Sequence, residues 1–275
     1  MTTDPAPGRR LLCFGAHPDD CEMKSSGLAA LWTRAGGEVR FIAMTDGSAG
    51  HHEMAGEQLV RRRRAEAAAG ARAVGGDSVI LDNADGMLMP TLENRLRVIR
   101  EIRVFRPDVI ACPRVNDYHP DHRYTGVIVQ DACYLLMVPN IVPLVPVPDR
   151  EPVVIFMSDR FTKPSPLEPD LVFSIDPVLD QKIAAIGAHE SQVLEWLPWI
   201  GGYASTMAAD DAGKRAHADG RVAVAAQAEA GRFRAALIAR YGAEAGAAVR
   251  HAEAYEISEY GAPLTGAATA ALFPF

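Results

Sequence analysis

Residues 11–20 read LLCFGAHPDD, an apolar run that leads directly into a histidine and two aspartates. The apolar run is typical of a buried strand, and residues 27–32, after the polar turn, have helical character. Strong helix formers fill residues 57–74. Further strand patterns occur at residues 39–44, 78–81, 108–112, 153–157 and 171–175. Strands that alternate with helices at this spacing predict an α/β fold with a mostly parallel sheet.

The chain has 275 residues, of which 48% are hydrophobic and 23% charged. This composition is typical of a globular protein, and the chain is long enough to bury a core without disulfides or a structural metal. No repeat or linker divides it. We therefore expect a single domain over residues 1–275, with a flexible tail at residues 1–8 and a helical C-terminal portion from about residue 177.

Charge and cysteine content exclude several classes of protein. The net charge of −7 offers no basic surface to a nucleic-acid backbone, so we expect no nucleic-acid partner. The longest apolar stretch, residues 127–148, is interrupted by polar residues and prolines, so we expect no membrane insertion. Four cysteines without a CxxC pair favour a reducing, cytoplasmic location.

A second polar cluster, residues 116–122 with the sequence NDYHPDH, follows the predicted strand at residues 108–112. The carboxyl ends of parallel strands lie at one edge of a sheet, so this cluster and residues 17–20 can converge there. Imidazole and carboxylate ligands suit zinc or another divalent first-row metal, and three such ligands leave a position open for water. The alternative is that Asp19 or Asp20 only caps the next helix and that the histidines are ordinary polar residues.

The two clusters together resemble the signatures of the LmbE-like, or PIG-L, zinc-dependent deacetylases, which are His-Pro-Asp-Asp near the N-terminus and His-Pro-Asp-His in mid-chain. Weaker matches are Lys182, the sequence AHESQ at residues 188–192 and the sequence AEAY at residues 252–255. The resemblance therefore covers most of the chain. It implies the LmbE-like fold, a Rossmann-like three-layer sandwich with a mostly parallel sheet.

The resemblance also implies the roles of particular residues. The metal ligands would be His17, Asp20 and His122. Asp19 would be the general base, and a protonated His119, oriented by the carboxylate of Asp121, would lie beside the oxyanion. Arg63, in the run of arginines at residues 61–64, matches a family arginine that contacts the sugar.

Other conspicuous residues receive no catalytic role from the sequence. We expect His51 and His52, in the loop after the second strand, to face solvent, and we assign Tyr118 no catalytic role. Trp196 and Trp199 either line a sugar-binding mouth or, as we favour, belong to the core or to a subunit interface. Lys182 and His189 can share one helix face, which is not sufficient for a site.

These observations predict a zinc-dependent hydrolase that removes the N-acetyl group from an N-acetylated amino sugar or its conjugate and releases acetate and a free amine. The alternatives are an amidase that acts on a larger thiol or sugar conjugate and a non-catalytic sugar-binding protein with the same fold. A dinucleotide-dependent oxidoreductase is disfavoured, because the first strand is not followed by a glycine-rich turn. The resemblance also implies a homo-oligomer, either a trimer or a hexamer.

Overall fold

A single sheet of seven strands forms the centre of the computed structural model, which describes residues 8–208 and 210–275. The strands are β1 (Arg10–Gly15), β2 (Glu38–Thr45), β3 (Asp77–Asn83), β4 (Val109–Cys112), β5 (Val153–Met157), β6 (Leu171–Ser174) and β7 (Ala252–Ile257). Their order is β3-β2-β1-β4-β5-β7-β6. Neighbouring strands pair in parallel except at β7, which is antiparallel to both β5 and β6. The predicted α/β fold with a mostly parallel sheet is confirmed.

Helices cover both faces of this sheet. They are α1 (Asp20–Arg34), α2 (Gly56–Ala73), α3 (Leu92–Phe105), α4 (Pro120–Cys133), α5 (Leu179–Gly187), α6 (Leu197–Ile200), α7 (Asp211–Arg232), α8 (Arg234–Tyr241), α9 (Ala243–Ala248) and α10 (Gly266–Leu272). A π-helix (Ser191–Trp196) leads directly into α6. Among the described residues, none of these helices combines the length and the apolar character that crossing a bilayer requires.

The alternation of side chains along β1 separates two hydrophobic cores. Leu11 and Cys13 point to one face of the sheet and pack with residues of α1, α5 and α7. Leu12 and Phe14 point to the other face and pack with residues of α3 and α4. The result is the predicted three-layer sandwich, in which both faces of β1 are buried.

The winding of the sheet reverses between β1 and β4. The chain runs outward from β1 through β2 to β3 and then returns to place β4 on the other side of β1. In open α/β sheets, the loops at the carboxyl ends of two such strands form a crevice in which ligands bind. The two polar clusters of the sequence follow β1 and β4, so the topology places both of them in this crevice.

The C-terminal portion differs from the sequence interpretation in one element. The region from about residue 177 contains α5 to α10, as expected, but also β7, which enters the sheet between β5 and β6. The buried carboxylate of Glu253 on β7 accepts hydrogen bonds from the N–H groups of Gly27 and Leu28 and from Lys182. It therefore ties β7 to α1. Residues 1–7 of the predicted tail lie outside the described residues, and the single domain stays a prediction.

Arg103 of α3 anchors residues 135–138 and the beginning of the proline-rich stretch at residues 139–152. Arg103 is 1% exposed, and its guanidinium donates hydrogen bonds to backbone carbonyl groups of the preceding segment and of the stretch itself. The acceptors are Leu135, Leu136, Val138, Ile141, Val142 and Val145. One buried cation thus replaces the regular hydrogen bonds that an irregular segment lacks.

Substitution of Arg103 by methionine is expected to lower the free energy of unfolding by roughly 3–5 kcal/mol, because several buried carbonyl groups lose their donor. Chemical denaturation measures the effect. Arg100→Met on the same helix is the matched control, since Arg100 is exposed. Equal stability of the two variants would contradict the anchoring role of Arg103.

Candidate metal centre and active site

Loops after four neighbouring strands meet at the carboxyl edge of the sheet. Their polar residues are His17, Asp19 and Asp20 after β1, residues 46–52 after β2, Asp85 after β3, and Asp117, His119, Asp121 and His122 after β4. Every site residue predicted from the sequence lies in these loops, or in the first turns of the helices that they lead into, except Arg63, which lies on α2.

A tight turn after β1 brings Asp20 back over the end of the strand. The carboxylate Oδ2 of Asp20 accepts hydrogen bonds from the N–H groups of Ala16 and His17, each at 2.8 Å. A Cβ atom at Gly15 would lie 2.6 Å from the Cβ of Asp20, so only glycine permits this approach. The turn explains why Asp20 does not cap the following helix and is free to face the crevice.

The three predicted metal ligands form a compact triangle. His17 Nδ1 lies 3.5 Å from Asp20 Oδ2, His122 Nε2 lies 3.4 Å from the same oxygen, and the two nitrogens are 3.2 Å apart. Ligand atoms that surround a zinc ion tetrahedrally at about 2.0–2.1 Å are themselves about 3.3 Å apart. The donor set and its spacing therefore fit a tetrahedral first-row metal with one position open.

Carboxylates lie next to the outward-facing nitrogens of both imidazoles. His17 Nε2 lies 3.2 Å from Asp85 Oδ1 and 3.4 Å from Asp121 Oδ2, and His122 Nδ1 lies 2.9 Å from Asp117 Oδ1. A carboxylate behind a metal-binding histidine fixes its tautomer and raises its basicity. The sequence interpretation gave no role to Asp85 or to Asp117. The available signal was position, since both residues follow strands whose carboxyl ends border the crevice.

Substitution of Asp117 by asparagine is expected to weaken metal binding by about 10- to 100-fold, because the imidazole of His122 loses its anionic partner. Competition with a chromogenic chelator measures the dissociation constant of zinc. Asp131→Asn, an exposed position on α4, is the control. Unchanged zinc affinity in Asp117→Asn would show that His122 does not bind the metal through Nε2.

Two other groupings of metal-binding side chains share the same crevice. His17 and His122 can be combined with His119, and His17 can be combined with Asp85 and Asp121. The second grouping is the weaker one, because the carboxylate of Asp121 is fully buried and already accepts hydrogen bonds from the N–H groups of Gly86 and Leu88. The first grouping makes His119 the residue whose role most needs a test.

The structure corrects the way in which His119 is oriented. The carboxylate of Asp121 faces His17, and it is the backbone N–H of Asp121, at the start of α4, that donates a hydrogen bond of 3.2 Å to His119 Nδ1. Nδ1 is therefore an acceptor, and the proton of the neutral ring is on Nε2. Partial burial and the charges of His17 and His122 also lower the pKa of His119. A neutral donor thus replaces the protonated imidazole that the sequence interpretation assumed.

Charges of opposite sign are concentrated at the centre. Burial lowers the pKa of His17, but the carboxylates of Asp121, Asp20 and Asp85 outweigh it and raise this pKa well above its usual value. The pKa of His122 is raised in the same way, since Asp20 and Asp117 outweigh its burial. More carboxylates than imidazoles therefore surround the centre. The resulting excess of negative charge favours binding of a divalent cation.

Asp19 and Arg63 form a buried ion pair beside the triangle. Asp19 stands at the N-cap position of α1 but its side chain makes no capping hydrogen bond. Arg63 Nη2 lies 3.0 Å from Asp19 Oδ1 and donates a hydrogen bond of 3.0 Å to the carbonyl of Pro18. Gly47 and Gly50 lie over the guanidinium, since a Cβ atom at either would be within 3 Å of Arg63 Nη1.

The predicted contact between Arg63 and the sugar stays a prediction, and the structure places the Arg63 side chain against Asp19 in the interior. Arg63 is 2% exposed because α2 directs it inward, under the loop that follows β2, whereas Arg61 and Arg64 are exposed. Its polar contacts are with Asp19, Pro18 and Asp85, an arrangement suited to positioning the carboxylate of Asp19.

Substitution of Arg63 by methionine is expected to lower kcat by about 10- to 100-fold with little change in KM or in bound metal, because Asp19 loses the group that positions it. Arg63→Lys keeps the charge and is expected to restore part of the rate. Arg64→Met, at the exposed neighbouring position, is the control. An increase in KM without a change in kcat would instead support the predicted contact between Arg63 and the sugar.

Two further predictions concern the rim of the crevice. The expectation that His51 and His52 face solvent is wrong, because the His51 side chain is 2% exposed and bonds Glu195, and His52 stacks on Trp199. Tyr118 is 74% exposed, with its ring centroid 5.3 Å from that of His122, so it borders the mouth.

Lys182 and His189 lie away from the triangle. Lys182 is buried and donates to the carboxylate of Glu253, and His189 Nε2 faces Glu22 Oε1 at 3.3 Å in the core. Both side chains therefore contact buried carboxylates on or next to α1, and neither belongs to the ligand triangle.

Comparison with known proteins identifies the family. The model of the family PIG-L, described as GlcNAc-PI de-N-acetylase, matches residues 12–133, which contain both polar clusters. The diacetylchitobiose deacetylase of Thermococcus kodakarensis is 30% identical over 207 residues, which are 70% of this chain and 75% of that protein. This chain belongs to the PIG-L family. It is accordingly an enzyme of the deacetylase kind, an amide hydrolase that acts on carbon–nitrogen bonds.

Solved structures of PIG-L-like fold agree with the topology. The N,N'-diacetylchitobiose deacetylase of Pyrococcus horikoshii superposes with a TM-score of 0.70 at 21% identity, covering 92% of this chain and 85% of that one. GalB, the 4-carboxy-2-hydroxymuconate hydratase of Pseudomonas putida, superposes with a TM-score of 0.68 at 20% identity, covering 90% and 95%. At these identities the likeness concerns the LmbE-like fold, and the presence of a hydratase shows that the fold alone does not select the reaction.

Proposed function

We propose that this chain is a zinc-dependent hydrolase that removes the acetyl group from an N-acetylated amino sugar or its conjugate and releases acetate and a free amine. The observation that carries the proposal is the triangle of His17 Nδ1, Asp20 Oδ2 and His122 Nε2, with the unligated carboxylate of Asp19 beside it. Two imidazoles and one carboxylate form the donor set of hydrolytic zinc sites with an open position.

The residues around the triangle have complementary roles in amide hydrolysis. When bound, zinc supplies the Lewis acidity that polarises the amide carbonyl and lowers the pKa of water. Asp19, held by Arg63, accepts a proton from the attacking water. His119 donates its Nε2–H to the carbonyl oxygen as negative charge develops there. Asp19 then delivers the proton that it accepted from water to the departing amine.

The substrate class is supported by the relatives. The family description names an N-acetylglucosamine conjugate, and the 30%-identical relative is named for the acetylated disaccharide on which it acts. Cleavage of a larger thiol or sugar conjugate would use the same catalytic residues and differs only in the pocket that receives the amine. A non-catalytic sugar-binding role is disfavoured, because Asp19 and all three ligands are present. Assembly into a trimer or hexamer stays a prediction, which the molar mass from light scattering tests.

The experiment that tests the proposed function combines elemental analysis with an amine-release assay. The purified chain is assayed on a panel of N-acetylated monosaccharides, disaccharides and glycosides, with and without chelator. We expect about one zinc per chain and amine release that the chelator abolishes and added zinc restores. Bound zinc without release from any member of the panel would favour the larger amide, and absence of metal after loading would overturn the proposal.

A further inference from the structure

A stack of aromatic rings borders the candidate centre. The imidazole of His52 stacks on the indole of Trp199 with a centroid separation of 4.9 Å and an interplanar angle of 10°. His51 stacks on His52 at 4.7 Å, and Trp196 lies beside Trp199 at 5.3 Å and 22°. We call these four residues the aromatic platform. It joins two features of the sequence to which the hydrolytic mechanism gives no role, namely the paired histidines and the Trp-Leu-Pro-Trp element.

Charged side chains beneath the platform hold it in place. The carboxylate of Glu195 accepts hydrogen bonds from Arg62 of α2 and bonds His51 Nε2 at 2.8 Å. Gln192 donates to the carbonyl of Gly50 at 3.0 Å, which fastens the loop after β2 to the π-helix. π-helical turns occur frequently at functional sites. Because the rings are already fixed, binding a ligand on them costs little conformational entropy.

The platform is directly connected to the residues of the centre. A Cβ atom at Gly50 would lie 2.7 Å from Arg63 Nη1 and 3.3 Å from Asp85 Oδ2. Arg63 holds Asp19, and Asp85 lies against His17. His52 follows Gly50 by two residues, a distance of at most about 7 Å along the chain. The loop that carries His52 therefore also packs on two residues that contact the centre, so the platform and the centre share one rim of the crevice.

The Trp199 indole is half exposed. It is 50% accessible to solvent although His52 and Trp196 both stack against it. The side chain of Glu53, next to His52, is 81% exposed and that of Glu195 is 37% exposed.

An exposed indole bordered by carboxylates fits a carbohydrate better than an apolar partner. A pyranose ring presents C–H groups on one face, which pack on an aromatic ring, and hydroxyl groups at its edge, which donate hydrogen bonds to carboxylates. A protein or lipid partner would require a wide apolar surface, whereas the platform lies among Glu53, Arg62 and Glu195.

We infer that the aromatic platform is a second sugar subsite, in which the exposed part of the Trp199 indole binds the pyranose that is linked to the deacetylated residue. The inference rests on the proposed function and deepens it, because it makes a disaccharide, a longer glycan or a glycosyl conjugate the preferred substrate. A monosaccharide would occupy only the centre.

The test separates binding on the platform from hydrolysis at the centre. Trp199→Ala is compared with Ile200→Ala, a substitution of the exposed apolar neighbour. Binding of the β-1,4-linked glucosamine disaccharide, which carries no acetyl group, is measured by calorimetry on the zinc-loaded chain. We expect Trp199→Ala to weaken this binding about tenfold, as loss of a central aromatic contact does, and Ile200→Ala to leave it unchanged. Light scattering of both variants accompanies the titration.

The deacetylation rates give the second readout. We expect kcat/KM of Trp199→Ala to fall about tenfold for N,N'-diacetylchitobiose and to stay within about twofold for N-acetylglucosamine. Disaccharide binding that depends on Trp199 supports the subsite even if neither compound is hydrolysed. In that case the proposed function is contradicted and the subsite is not. Equal binding by parent and Trp199→Ala, no binding by the parent, or a smaller molar mass for Trp199→Ala would overturn the inference.

Discussion

Substitution of Asp19 by asparagine is expected to lower kcat by about 100- to 10,000-fold while the protein retains as much zinc as the parent. The reason is that Asp19 lies beside the ligand triangle without belonging to it, and its carboxylate pairs with Arg63 at 3.0 Å. Asparagine has nearly the same shape but cannot accept the proton of the attacking water. Steady-state kinetics and elemental analysis of the same preparation measure the two effects.

The control for this variant is Asp180→Asn, at an exposed position on α5, which should match the parent in both measurements. Loss of zinc in Asp19→Asn would make Asp19 a metal ligand and contradict the assignment of the triangle. Full activity with zinc retained would show that another group accepts the proton.

Substitution of His122 by alanine is expected to remove the bound metal, whereas His119→Ala should keep the metal and lose most of the activity. His122 Nε2 belongs to the triangle, and its Nδ1 is held by Asp117 at 2.9 Å. His119 instead uses Nδ1 to accept the N–H of Asp121, so its remaining nitrogen is protonated and acts as a donor. A protonated nitrogen does not bind a metal.

Zinc content after dialysis, together with kcat, distinguishes the two histidines, which lie three residues apart at the start of α4 and serve as controls for each other. Removing one of three ligands leaves a site that does not retain zinc, so His122→Ala should be inactive at any substrate concentration. Loss of an oxyanion donor costs about 100- to 1,000-fold in kcat, the effect expected of His119→Ala. Loss of zinc from both variants would favour the alternative grouping of His17, His119 and His122.

The course of the sheet could be predicted largely from local patterns. Short apolar runs such as residues 11–16 identify strands because a strand buried on both faces has no room for polar side chains. Two elements cannot be predicted in this way. The helix α3 carries many charged residues and was not identified, and β7 lies in an alanine-rich region whose composition favours helix. β7 is a strand because it pairs with both β5 and β6, and these tertiary contacts override its local composition.

Roles that depend on a distant partner could not be predicted. The pattern around Arg63 suggests a sugar contact, yet the chain folds Asp19 against it from 44 positions earlier in the sequence. The carboxylate of Asp121 is next to His119 in sequence but faces His17 in space. Likewise, His51 and Glu195 meet only because the loop after β2 and the π-helix share one rim. Side-chain direction, burial and partners are properties of the assembled layers.

The sequence by itself determined the strand ends at which the chemistry lies and the residue types present there, because short apolar runs and their polar successors are encoded locally. It also determined the family, through the two His-Pro clusters. Only the tertiary structure decided which atoms face each other. The switch point between β1 and β4 brings His17, Asp20 and His122 within 3.5 Å, while carboxylates that follow β3 and β4 face the outer nitrogens of the two imidazoles. These contacts join residues that are far apart along the chain, so the packing of the sheet, and not the local sequence, creates them.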